Sequence, residues 1–266
     1  MNSPEQIAKN FIEVGVKKTS LSVNKMFLLG VFAGVFIALA GAGSTVASAT
    51  ITNGSLARLI NGMIFPSGLA MVILAGSELF TGNSLIIISV LEKRVSFKMM
   101  LKNWLIVYLG NLVGSLLVAF IFVYGHLPSL FAGGLVNTLV NGATAKVGLT
   151  MSEAFLRGIL CNVLVCIAVW MAAAAKETHG KVIALYLPIL VFVVCGFEHC
   201  VANMFSIPVG ILTSYEYAIA SEGLTWFNFF VHNLLPVTLG NIVGGCAVGT
   251  GYWLAYLKNQ RENKNA

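Results

Sequence analysis

Gly76-Ser77-Glu78-Leu79-Phe80-Thr81-Gly82-Asn83 returns, altered, as Gly196-Phe197-Glu198-His199-Cys200-Val201-Ala202-Asn203. Each copy sets a glutamate inside an apolar stretch and follows it with a small residue and an asparagine. A carboxylate in the hydrocarbon layer costs roughly 2.5–3.5 kcal/mol on insertion scales, so its presence calls for a reason. Two such sites at matching places in the two halves of one chain point to a transport pathway at the repeat interface.

The chain around them has 266 residues, 58% hydrophobic and 10% charged, with a mean hydropathy of +0.87. That composition places it among membrane proteins. The net charge of +6 reads as topology. A nucleic-acid binder needs its basic side chains on one solvated face, and no stretch leaves room for such a domain. Cys161, Cys166, Cys195, Cys200 and Cys246 all lie in apolar segments without a C-x-x-C pair. They read as small packing residues, so neither a disulfide framework nor a metal site is expected, and no cofactor. The lack of a G-x-x-x-x-G-K-[ST] loop argues against ATP-driven pumping, and the lack of any Asp excludes an aspartyl protease. No G-x-S-G run supports a serine protease. The first apolar run starts at Met26 behind an amphipathic stretch, so no cleavable signal peptide is expected.

Six apolar segments, at about 26–50, 59–91, 105–126, 154–175, 182–212 and 227–257, each exceed the roughly 20 residues a helix needs to cross a bilayer. The second would make a helix about 50 Å long if straight, and it contains Gly76, Gly82 and Asn83. A helix broken near mid-membrane is expected there, and another in the equally long fifth segment. The repeat extends to Leu109-Gly110-Asn111-Leu112-Val113-Gly114-Ser115 and Leu239-Gly240-Asn241-Ile242-Val243-Gly244-Gly245. Three spans per half force the halves (about 26–126 and 154–257) to insert upside-down relative to each other. The fold class is therefore all-α, with six transmembrane helices in two inverted three-helix repeats and spans two and five broken.

Basic residues set the orientation. Lys9, Lys17, Lys18, Lys25, Lys93, Arg94, Lys98, Lys102, Lys176, Lys181, Lys258, Arg261 and Lys264 fall on one side. Only Arg58, Lys146 and Arg157 fall on the other, which puts both termini in the cytoplasm. Residues 1–25 form a separate amphipathic helix, with Ser3 as N-cap, Pro4 at the first helical position and Gln6 completing a capping box. It either lies along the cytoplasmic surface or gates the pore. Residues 26–257 make one transmembrane domain, and 258–266 a cytoplasmic tail.

Of four histidines only His199 lies deep within a span, where an imidazole can donate a hydrogen bond to an anion or change charge beside it. Thr81 occupies a nearby place in the other half. Glu78 and Glu198 read as braces for the broken helices, accepting backbone N–H groups that lipid leaves unsatisfied, with proton relay as the alternative. Asn83 and Asn203 are assigned similar work on the backbone. Lys146 is either a solvated loop lysine or a charge that draws anions inward. Phe65, Leu69, Phe80, Val165 and Phe192 lie near the breaks, where apolar side chains make constrictions.

Together these residues resemble the formate/nitrite transporter family, most specifically in Gly196 to Phe205 and Glu78-Leu79-Phe80-Thr81, and also in Ala145-Lys146-Val147 and Gly158 to Asn162. The resemblance covers nearly the whole chain. It implies an aquaporin-like fold in a homopentamer with one pore per protomer, set in the inner membrane. It implies passage of small monovalent anions of weak acids past His199, Thr81 and Lys146, with hydrophobic slits at Phe65, Leu69, Phe80, Val165 and Phe192. Within the family the chain looks closest to the hydrosulfide-channel branch. Two other readings compete. An aquaglyceroporin-like neutral-solute pore lacks support because the paired Asn-Pro-Ala motifs are missing. A membrane enzyme using His199 and Glu198 as acid and base is disfavoured by their adjacency on one helix, about 100° apart.

Overall fold

The structure, a computed structural model, describes residues 1–258, so Arg261 and Lys264 of the expected tail lie outside the described residues. Those residues form helices and connecting turns, without strands. Helix α1 (Pro4–Thr19) is followed by α2 (Val23–Ser48), α3 (Gly54–Ile64) and α4 (Pro66–Ala75). A break at 76–81 leads into a 3-10 turn, Gly82–Ile86, and the short α5 (Ile87–Leu91). Then come α6 (Phe97–Tyr124), α7 (Gly134–Val147), α8 (Met151–Ala174), α9 (Thr178–Cys195) and, after a second break, α10 (Cys200–Glu216). The three-residue α11 (Trp226–Asn228) continues through a π-helical stretch, Phe229–Leu234, into α12 (Leu235–Tyr256). Among the described residues six helical spans are long and apolar enough to cross a membrane, with α3–α4 and α11–α12 each making one span.

Both breaks have one cause. Gly76 ends α4 at φ 81° and Gly196 ends α9 at φ 69°, the left-handed conformation that lacks a steric penalty only in glycine. The chain then runs extended for a few residues before it turns helical again. Each break is held between two long helices, α2 with α6 and α8 with α12. A Cβ at Gly34 would lie 2.2 Å from the Asn111 carbonyl oxygen, and one at Gly244 would lie 2.2 Å from that of Ile159. These pairs therefore approach backbone to backbone, in a small-xxx-small manner.

Hydrogen bonds display the inverted repeat residue by residue. The register that places Asn111 on Asn241 also places Asn103 on Asn233 and Tyr108 on Thr238. Tyr108 and Thr238 bond to each other through their hydroxyls at 2.9 Å, so the pseudo-twofold axis passes between them.

One element differs from expectation. The connection before span four is not a loop but contains α7, which ends with Lys146 in its last turn. Helix α1 sets its apolar face on protein. Ile7, Ala8, Phe11, Gly15 and Thr19 are buried, and Ser89 Oγ donates to the Phe11 and Ile12 carbonyls. Phe11 stacks on Trp170 at 5.4 Å, and Trp170 on Tyr252 at 4.0 Å. Ser3 accepts the Gln6 N–H as an N-cap should, but the Gln6 side chain turns to Asn10, so the capping box is half made.

Candidate functional site

Breaking a helix inside a membrane frees backbone groups that must find partners. At the first break, the Glu78 N–H donates to the Leu29 carbonyl and the Phe80 N–H to Asn111 Oδ1. Asn111 Nδ2 in turn donates to the Glu78 and Gly30 carbonyls. The second break repeats this circuit. The Glu198 N–H donates to Arg157, the Cys200 N–H to Asn241 Oδ1, and Asn241 Nδ2 to the Glu198 and Gly158 carbonyls. Backbone support thus comes from Asn111 and Asn241, both fully buried, and not from the glutamates as the sequence reading had it.

The carboxylates have different partners. Glu78 accepts Asn83 Nδ2 at 2.8 Å and Lys18 Nζ at 2.8 Å, while Asn83 also donates to Asn103. Glu198 accepts Asn203 Nδ2 at 2.6 Å and Lys146 Nζ at 2.8 Å, while Asn203 also donates to Asn233. Asn103 and Asn233 close the two loops on the carbonyls of Lys18 and Lys146. Each carboxylate is therefore an anchor for one lysine, and Asn83 and Asn203 serve the carboxylates rather than the backbone. Lys18 on α1 is the counterpart of Lys146 on α7. Its place in the site is invisible in the sequence, where it is one of several basic residues on its side of the membrane.

The two breaks meet at the centre. Thr81 Oγ1 lies 3.0 Å from His199 Nε2, with the residues 0% and 3% exposed. His199 also caps α10, its Nδ1 accepting the Ala202 N–H at 3.0 Å. An acceptor at Nδ1 places the proton of the neutral ring on Nε2, which then donates to Thr81. The Thr81 hydroxyl hydrogen is left free to donate elsewhere. The repeat register refines one expectation, since Thr81 answers to Val201 and His199 to Leu79. Thr81 and His199 meet across the axis rather than filling equivalent positions. Asn162 Nδ2 and the Cys166 thiol both point to the Thr81 carbonyl and fix that turn.

Two cavities open at the breaks, one reaching His199 and the other reaching Leu79 and Gly82 on either side in sequence of Phe80-Thr81. The α7-side cavity, about 390 Å³, is lined by His199, Phe65, Phe192, Lys146, Arg58 and Arg157, among others. Phe65 and Phe192 meet edge to face at 5.6 Å, and Phe192 lies 6.0 Å from the His199 ring. The α1-side cavity, about 790 Å³, reaches Leu69 and Glu78 and carries Lys17, Lys18, Lys25, Lys176 and Lys181. Phe80 packs on Tyr108 and Trp104 at 4.9 and 6.0 Å. Val165 is 1% exposed on α8. No cluster of His, Cys or Glu suited to a metal occurs among the described residues.

The family model for formate/nitrite transporters matches residues 5–254. The chain is 39% identical to the formate channel FocA of Escherichia coli (strain K12), covering 96% of this chain and 94% of that one. It is 40% identical to FocA of Haemophilus influenzae over 87% of this chain and 86% of that one. A solved pentameric formate channel with formate bound matches with a TM-score of 0.79 at 38% identity, over 89% of this chain and 98% of that one. The fold and paired breaks therefore define a channel or transporter of the multi-pass membrane class, not an enzyme. The chain belongs to the formate/nitrite transporter family.

Proposed function

We propose that this protein is a homopentameric inner-membrane channel for small monovalent anions of weak acids, with one pore through each protomer. Formate stands first among the permeants, because the similar FocA proteins are named formate channels and a solved relative is pentameric with formate bound. Nitrite and hydrosulfide fall in the same class of size and charge. The excess of basic residues on the α1 side supports a cytoplasmic placement of both termini. The single observation that carries the mechanism is the 3.0 Å contact of Thr81 with His199 at breaks where two lysine-bearing cavities open.

An anion gathers in a cavity lined by cations and loses water where Phe65 meets Phe192 on one side or at Leu69 on the other. At the centre it accepts a hydrogen bond from Thr81, whose oxygen is already occupied by His199 Nε2–H. A second proton on the imidazole enters at Nδ1 and displaces the Ala202 N–H. Charging the ring and uncapping α10 are therefore one event, which makes flux depend on pH. Phe80 and Val165, buried beside the breaks, set the bore from behind.

The test is stopped-flow flux of formate, nitrite, hydrosulfide and lactate into liposomes, each at two pH values. His199→Ala protein loses or changes the pH dependence, whereas wild-type-like rates and pH response in that variant would overturn the role of His199. Swelling in glycerol without anion flux would favour a neutral-solute pore instead.

A further inference from the structure

We propose that Arg58 is a binding residue for planar oxyanions at the α7-side mouth, gripping carboxylate-like permeants before they reach the phenylalanine slit. The inference rests on the anion-channel reading and adds a site to it. Three cations line this cavity, but their charges are not equally available. Lys146 lies 2.8 Å from Glu198, whose carboxylate also accepts Asn203, so lysine and glutamate together form a dipole with no net charge. Arg157 approaches Glu153 at 3.9 Å. Arg58 has no carboxylate within salt-bridge reach among the described residues. The net positive field at this mouth therefore centres on Arg58, not on Lys146.

Its placement is as specific as its charge. The guanidinium lies over Gly196, the first residue of the second break, where a Cβ would come within 2.7 Å of Nη1. Its one described hydrogen bond, from Nη1 to the Val194 carbonyl, is long at 3.4 Å. Five N–H donors in a flat fork remain largely unspent beside the open cavity. The register that superposes Gly76 on Gly196 sets Arg58 against Thr178, so the repeat does not call for a cation here. The α1-side cavity holds compact ammonium groups instead, on Lys17, Lys25, Lys176 and Lys181. A guanidinium matches two oxygens in one plane and an ammonium does not. This mouth thus distinguishes formate and nitrite from hydrosulfide, which offers one atom.

Arg58→Lys keeps the charge and loses the fork, while Arg58→Gln loses the charge and keeps a donor for Val194. Initial rates are measured against anion concentration in right-side-out and inside-out vesicles. For entry from the α7 side, Arg58→Lys is expected to raise the half-saturating formate concentration about tenfold, the scale of one lost charge-assisted hydrogen bond, with maximal flux unchanged. Hydrosulfide entry, and formate entry from the α1 side, stay within about twofold. Arg58→Gln raises the half-saturating concentration of both anions from the α7 side. Wild-type-like formate kinetics in Arg58→Lys would overturn the proposal, as would equal shifts for formate and hydrosulfide in that variant. A fall in both directions alongside a lowered melting temperature would reduce Arg58 to a cap on α9 and overturn it too. Failure of the wild-type protein to carry any anion would instead remove the channel reading beneath it.

Discussion

At the residue scale, one asparagine in each half carries a break. Removing Asn241 strands the buried Cys200 N–H and two buried carbonyls, and a buried polar group left unpaired costs about 1–3 kcal/mol. Asn241→Ala and Asn111→Ala are each expected to lower the melting temperature in detergent, and an unchanged midpoint would contradict the circuit described. The ion pairs follow a different rule. Breaking one partner of a buried pair costs more than removing both, because a lone charge remains. Glu198 is the buried member, and Lys146 is partly exposed at the cavity, so Lys146→Met is expected to destabilise the protein more than Lys146→Met with Glu198→Gln, a comparison one thermal series makes. The glutamates were legible in the sequence because a charge in an apolar run stands out. Asn111 was not legible as the partner of the break's backbone. It lies on another helix, and nothing local in a Leu-Gly-Asn run shows which backbone its amide will meet.

At the scale of elements, the broken spans were readable from excess length and from Gly76 and Gly196, since a helix cannot pass a left-handed residue unbroken. Helix α1 was readable as amphipathic, but amphipathicity does not say what covers the apolar face. Lipid and protein satisfy it equally, and here Ser89, Trp170 and Tyr252 do so. This docking positions Lys18 against Glu78. Phe11→Ala removes the ring from the stack, a truncation worth about 3–5 kcal/mol in a packed core. It is expected to loosen α1, which trypsin cleavage after Lys17 and Lys18 in membrane vesicles would report as a faster rate. If cleavage stays as slow as in the wild type, α1 is held by something other than its aromatic anchor. Helix α7, the counterpart of α1, was missed because Gly142 and the alternation of small and polar residues around it resemble a loop.

At the scale of the whole molecule, native mass spectrometry is expected to find five copies of the 28.4 kDa chain. A monomer that still carries formate would separate pore from assembly. Within one protomer, the hydroxyl pair Tyr108–Thr238 has a geometric implication. Residues that meet on a true twofold axis must be identical. Two tyrosines would collide there, and two threonines would leave a void. The chain instead shares out the space unequally, giving Tyr108 and Phe80 to one half and Thr238 and Cys200 to the other. Two halves fused into one chain can do this, and two identical subunits cannot. The duplicated architecture is thereby free to set aromatic rings on one side of the axis where the other side has none.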